Sequence, residues 1–220
     1  RYMLGGQVRV PMVIRQPIGM RWGMAAQHSQ SNENLWVGTA GLVVVASATP
    51  ADNHGLLKAA IRCDDPVVFM EHKELWLTTG DVDESAGPVK LGKAAIRKAG
   101  RDITLLSWSK SANDCLSAAA LLTEKGIDAE VIDLRTLWPW DRETVLASAA
   151  RTGRLLIVHE AVQVAGFGAE IAATIAELAP EVRLARLGAL RIPVGYSPGL
   201  EAQARLTPDA IAARAWALAS

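Results

Sequence analysis

Histidine is the side chain whose charge changes near neutral pH, and this sequence has four: His28, His54, His72 and His159. None pairs with another His, a Cys or a carboxylate at a recognised metal spacing. His54 is expected on a helix surface, His159 at a strand end, and His72 beside Glu71 as a surface pair at another strand end. His28 differs. It sits in Met24-Ala25-Ala26-Gln27-His28-Ser29-Gln30-Ser31, after a loop rich in Gly, Pro and Arg (QPIGMRWGM). Small residues on one side and hydrogen-bonding residues on both suit an imidazole held in one tautomer near a cavity. Taken alone, a loop histidine is more often a structural or exposed residue than a functional one.

Other candidates are weaker on physical grounds. Gly195-Tyr196-Ser197-Pro198-Gly199 has the spacing of a nucleophile elbow, but the residue after Ser must donate its N–H to an oxyanion, and Pro198 has none. A Gly/Pro turn is expected instead. Gly166-Phe167-Gly168 precedes a helix as a dinucleotide fingerprint does, yet Ile171 occupies the third glycine position. The alternative is a Gly-rich helix start packed closely against something, such as another subunit. No phosphate-cradling P-loop is present. Cys63 and Cys115 are the only cysteines, so at most one disulfide can form and a reduced intracellular setting is expected.

The elements that must position these residues alternate in type. Strands are expected at residues 8–15, weakened toward an edge by Pro11, and at 42–46 and 66–71. Between the last two, Thr49-Pro50-Ala51-Asp52 has the cap, proline and acid of a helix start, and the helix runs to about Ile61. Residues 78–100 lose periodicity and read as a linker. Alternation then resumes, with strands at 103–108, 129–133, 155–159 and 182–187. The intervening helices are expected at 111–125, 141–151 and 168–178, and a last helix starts at Thr207-Pro208. This order predicts an α/β protein with mostly parallel sheets covered by helices on both faces.

The 220 residues carry 23 Lys+Arg against 23 Asp+Glu and are 50% hydrophobic, which excludes a disordered chain. The balance gives no electrostatic reason to expect nucleic-acid or membrane-surface binding. The longest apolar runs, such as the one from Leu42, are far shorter than a membrane span. No secretory signal is visible. The chain opens Arg1-Tyr2-Met3, so residues upstream are expected.

RYMLGGQVRVPMVIR followed by GMAAQHSQS resembles the beta subunit of the thiamine-diphosphate-dependent 2-oxo acid dehydrogenases, of the pyruvate and branched-chain type. GLLKAAIRCDDPVVFMEHKELW, AEVIDLRTLWPWDRETVLASAARTGRLLIVHEA and GFGAEIAATIAE agree in order and spacing. The resemblance implies that residues 1–77 are the C-terminal part of a pyrimidine-binding domain, 78–100 a linker, and 101–220 a transketolase C-terminal-like domain. It implies a cofactor, thiamine diphosphate, shared with an alpha subunit that holds the diphosphate and its magnesium. This sequence lacks the Gly-Asp-Gly…Asn magnesium-diphosphate signature, as a beta chain would. The implied partners are that alpha subunit, a second beta subunit and a lipoyl acyltransferase core, in bacterial cytoplasm or a mitochondrial matrix. An acetoin dehydrogenase beta chain and a non-catalytic assembly fragment are the alternatives.

The resemblance also assigns residues. His28 matches the family's AQHSQ histidine, which stands at the active-site entrance and serves reductive acylation of the lipoyl group. Tyr2 matches an aromatic position lining the pyrimidine pocket. The family's cofactor-activating Glu belongs to a part upstream of Arg1, and nothing around Glu33 matches it. A potassium site, built largely from backbone oxygens, maps to Met12, Ala60, Ile61, Cys63 and Asp65. Cys63 stands where many relatives carry an acid, and sulfur is a poor ligand for a hard cation. Thr39-Ala40-Gly41 and Leu190-Arg191-Ile192 also depart from the family pattern.

Overall fold

Two sheets face each other across one apolar core in the computed structural model, which describes residues 1–220. In chain order the first half runs β1 (Val13–Ile18), α1 (Glu33–Val37), β2 (Val43–Ala46), α2 (Pro50–Ile61) and β3 (Val67–His72). The second runs β4 (Ala95–Lys98), β5 (Ile103–Ser107), α3 (Ser109–Thr123), β6 (Ala129–Asp133), β7 (Thr136–Trp138), α4 (Arg142–Thr152) and β8 (Arg154–Val162). It closes with α5 (Phe167–Leu178), β9 (Arg183–Ala189), α6 (Pro198–Ala204) and α7 (Pro208–Ala219).

The first sheet has the order β1-β3-β2-β7 and the second β4-β6-β5-β8-β9. Pairing among β1, β2 and β3 is parallel, with Val13 beside Val67 and Val43 beside Val67. Strands β6, β5, β8 and β9 are likewise parallel. Every residue of β2 and β5 is buried, which is why β2 is apolar throughout and the two polar residues of β5, Thr104 and Ser107, are hydrogen-bonded inside. Helix starts follow their caps: Thr49 accepts from the Asp52 N–H at 3.1 Å, and Asp141 from the Thr144 N–H at 3.3 Å. Gly153, at φ +69°, ends α4 in the left-handed conformation.

The largest core cluster lies between the sheets. Val44, Val68 and Met70 of the first sheet meet Leu106, Ile132 and Ile157 of the second, with Trp108, Phe167 and Ile171 beside them. Helix α2 covers the far face of the first sheet through Leu56 on Val45 and Phe69. Helices α3 and α7 cover the far face of the second through Cys115, Leu122 and Ile211. No helix is long and apolar enough to cross a membrane.

Four features differ from the sequence expectation. Strand β1 begins at Val13 rather than at residue 8; before it the chain is held along the Asp64–Asp65 turn, where the Val10 N–H donates to Asp64 O at 2.9 Å and Arg1 pairs with Asp65. The stretch expected as linker contains β4, an antiparallel edge strand on β6 pinned by Arg97 to Asp52 and Asp133. Strand β7 leaves the second half to pair antiparallel with β2 of the first, after a left-handed turn at Arg135 (φ +60°). Ser197-Pro198 opens helix α6, with Pro in the first turn where its missing N–H costs nothing, rather than a simple turn.

Candidate active site

Residues 19–32 leave the C-terminal end of β1 and return to α1 as a single excursion. Gly19 turns the chain at φ +85°, and its N–H donates to Gln30 O at 3.0 Å, closing the base of the loop. His28 ends a short 3-10 turn, Ala26–His28, and is exposed. It lines a concavity of about 460 Å³ with Met24, Gln30, Lys73 and Trp76. A second cavity, about 670 Å³, lies between the loop and residues 189–194. Glu160 and Arg191 line it, as do Ser29 and Ser31, whose hydroxyls are buried without a hydrogen-bond partner. A larger concavity of about 830 Å³ runs along α2 and is walled by Arg15, His54, His72 and Trp76. The smaller two are the ones the loop shapes.

The loop is held by groups from the second half. The Glu160 carboxylate accepts from the Met20 N–H at 2.5 Å and pairs with His72 Nε2 at 3.0 Å. The Glu74 N–H donates to His72 Nδ1 at 3.2 Å, so the neutral ring carries its proton on Nε2 and donates to Glu160. Burial opposes the Glu160 charge, but His72, the Met20 N–H and Lys110 outweigh it and hold the carboxyl below the usual range. Glu201 of α6 accepts from the Gly23 N–H at 3.0 Å, and Arg205 stacks 4.5 Å over the Trp22 ring. Beyond the loop, the Trp108 indole N–H donates to Glu33 Oε1 at 2.9 Å. Burial pushes the Glu33 carboxyl up despite that bond.

His72 is therefore not a surface partner of Glu71; it is 2% exposed and packed on Gly19. Glu71 instead takes a two-bond fork from Arg15, at 2.8 and 2.7 Å. His159 is fully buried, stacked on Trp108 with ring centroids 5.2 Å apart. Its Nδ1–H donates to Ala161 O at 2.9 Å, leaving Nε2 unpaired. Desolvation brings its pKa down to about 4. The closely packed Gly-rich helix start is explained here, because a Cβ on Gly166 or Gly168 would come 2.8 or 2.7 Å from the His159 ring.

The remaining candidates separate into two places. Tyr2 packs against Gly41, with its side chain largely exposed. Met12, Ala60, Ile61, Cys63 and Asp65 gather around the α2–β3 turn beside the start of β1. There the Met12 carbonyl accepts from the Val67 N–H at 2.8 Å and the Ala60 carbonyl from the Cys63 N–H at 3.2 Å. The Asp65 carboxylate is paired with the Arg1 guanidinium. A cation already sits on the one carboxylate and sulfur stands at Cys63, so these residues do not fit a potassium ion. No cluster of three or more His, Cys, Asp or Glu side chains is arranged to hold a metal.

Residues 1–78 match the transketolase pyrimidine binding domain, and residues 92–211 match the transketolase C-terminal domain. The chain belongs to the transketolase family. It is 41% identical over 214 residues to the acetoin:2,6-dichlorophenolindophenol oxidoreductase subunit beta of Bacillus subtilis, covering 96% of this chain and 63% of that protein. To the mitochondrial pyruvate dehydrogenase E1 component subunit beta-2 of Oryza sativa subsp. japonica it is 39% identical over 210 residues, covering 92% of this chain and 56% of that one. The chain thus spans roughly three fifths of the length of these relatives. A solved structure, a split-gene transketolase described as an inactive beta4 tetramer, superposes with a TM-score of 0.81 at 22% identity. It covers 96% of this chain and 67% of that chain, and shares the fold.

In this transketolase-family chain the structure brings His28 to the rim of a cavity that Tyr2, packed against Gly41, does not line. The His72–Glu160 pair, which grips the His28 loop, was missed by sequence reasoning. Its signal was a charged residue directly after the fully apolar run Leu155-Leu156-Ile157-Val158 and His159 in β8. An acid at that position needs a buried partner.

Proposed function

We propose that this chain is the beta-type part of a thiamine-diphosphate-dependent 2-oxo acid dehydrogenase component. It would work with an alpha subunit, decarboxylate a 2-oxo acid and pass the acyl group to a lipoyl arm. The observation that carries this is the chain-long likeness to beta subunits, combined with an exposed His28 on a loop tied at its base. Thiamine diphosphate, when bound, supplies a nucleophilic carbon and an electron sink for the loss of carbon dioxide. The exposed Tyr2 ring suits a wall for its pyrimidine; nothing in this chain suits its diphosphate or magnesium, which are left to the alpha partner. His28 holds a proton at the cavity rim. In the transfer step the electron pair that loss of carbon dioxide leaves on the acyl carbon would form the bond to one lipoyl sulfur; the S–S bond breaks, and the other sulfur leaves with its electron pair and takes a proton from His28.

Acetoin as substrate is the second reading. It is favoured by the acetoin oxidoreductase beta subunits of Bacillus subtilis and Cupriavidus necator, at 41% and 42% identity. Turnover of the assembled alpha–beta pair on pyruvate, branched 2-oxo acids and acetoin separates the two. Exclusive use of acetoin would replace the 2-oxo acid reading, and absence of turnover on all three would remove both. A second beta copy and a lipoyl acyltransferase core are the further partners of the proposed assembly.

A further inference from the structure

His28 lies near the end of an excursion whose side-chain anchors come from distant parts of the chain. Two carboxylates of the second half each accept a backbone N–H of the loop: Glu160 from Met20 at 2.5 Å and Glu201 from Gly23 at 3.0 Å. Glu160 does more, because its other oxygen takes the His72 Nε2–H at 3.0 Å and so ties the loop to the end of β3. We propose, on the reading of His28 given above, that Glu160 is a positioning residue which fixes the first foot of this loop to β3 and so sets where His28 presents its imidazole.

A carboxylate suits the position because both its oxygens face donors. His72 cannot switch roles, since its Nδ1 already accepts the Glu74 N–H at 3.2 Å. Nor can the ring move toward Gly19, where even a Cβ would come 2.0 Å from Nε2. A glutamine at 160 would turn its NH2 toward one of the two donors and lose that bond. The far foot stays tied through Trp108 and Glu33, so the loop would shift rather than unfold. Misplacement of a reacting group by about 1 Å costs up to roughly 10²-fold in rate.

The test uses the chain assembled with its alpha partner, comparing turnover to lipoamide with turnover to the dye 2,6-dichlorophenolindophenol, which bypasses the lipoyl step. In Glu160→Gln the lipoamide-to-dye ratio is expected to fall about tenfold. Amide hydrogen exchange across residues 19–32 should accelerate, while the amides of β5 and β6 keep their protection. Glu160→Asp is the second variant. It keeps the charge but, one methylene shorter, reaches one donor only, and it should give a smaller change in the same direction. An unchanged ratio in both variants, a loss in proportion in both assays, or unchanged exchange in the loop overturns the proposal. A wild-type assembly that turns over neither acceptor overturns the functional reading instead, and the exchange measurement still decides whether Glu160 anchors the loop.

Discussion

His28 is exposed on a loop with its neighbours supplying the shape, so truncating it removes an imidazole and little packing. His28→Ala is expected to lower acyl transfer to lipoamide by 10²-fold or more, the usual worth of a general acid, while assembly with the alpha chain is kept. Stopped-flow acylation of lipoamide, with gel filtration of the mixture, checks both halves. His159 is the opposite kind of histidine. It is buried, uncharged and brought to a pKa of about 4, below its ordinary value near 6.5. The unfolded chain therefore binds the proton first, and the contribution to stability is present above pH 6.5 and lost as pH falls toward 4. The loss amounts to about 3 kcal/mol over that window. Urea unfolding between pH 4 and 7 should show this acid limb in the wild type and a flatter one in His159→Asn.

Strand β4 shows how an element with a weak apolar signal is held by charge. Arg97 binds Asp133 at 2.7 Å and also pairs with Asp52, while Arg135 reaches Asp52 at 3.2 Å and the Lys93 carbonyl at 2.8 Å. Asp133 is fully buried at the end of β6, and burial pushes its carboxyl up against the pull of Arg97. Arg97→Ala would leave that charge short of its partner and is expected to cost about 3 kcal/mol of stability in thermal or denaturant unfolding. Arg97→Lys should recover less than half, because a single ammonium does not serve two carboxylates as a planar fork does. The same residues explain what the sequence could not reveal. Runs such as 43–46, 103–107 and 129–133 were legible because they are short, rich in β-branched and aliphatic residues, and buried on both faces. Ala95–Lys98 is two apolar residues followed by two charged ones inside a Gly- and Pro-rich stretch, with no alternation to mark a strand, and the distant Asp52 and Asp133 give it a place. At the candidate site, His28 was singled out by its neighbours in sequence and by the AQHSQ resemblance. Its anchors, Glu160 and Glu201, lie more than a hundred residues away, and no spacing rule reports such a contact.

At the scale of the molecule, the two sheets share one interior. Val44, Val68 and Met70 pack on Leu106, Ile132 and Ile157, and β7 carries part of the second half into the first sheet. The halves also trade hydrogen bonds through Glu160 and Trp108. Family matches at residues 1–78 and 92–211 define two domains by sequence, but the packing makes the stability of each depend on the other. A cavity opened in one sheet should therefore weaken both. Met70 is completely buried at the shared face, and Met70→Ala is expected to remove about 2–5 kcal/mol. Exchange of the β5 amides, which sit wholly in the second sheet, should accelerate to the same extent as that of the β2 amides in the first. Loss of protection confined to β2 would mean that the halves unfold separately. In that case the loop bearing His28 would be gripped by a half able to melt while the other stayed intact.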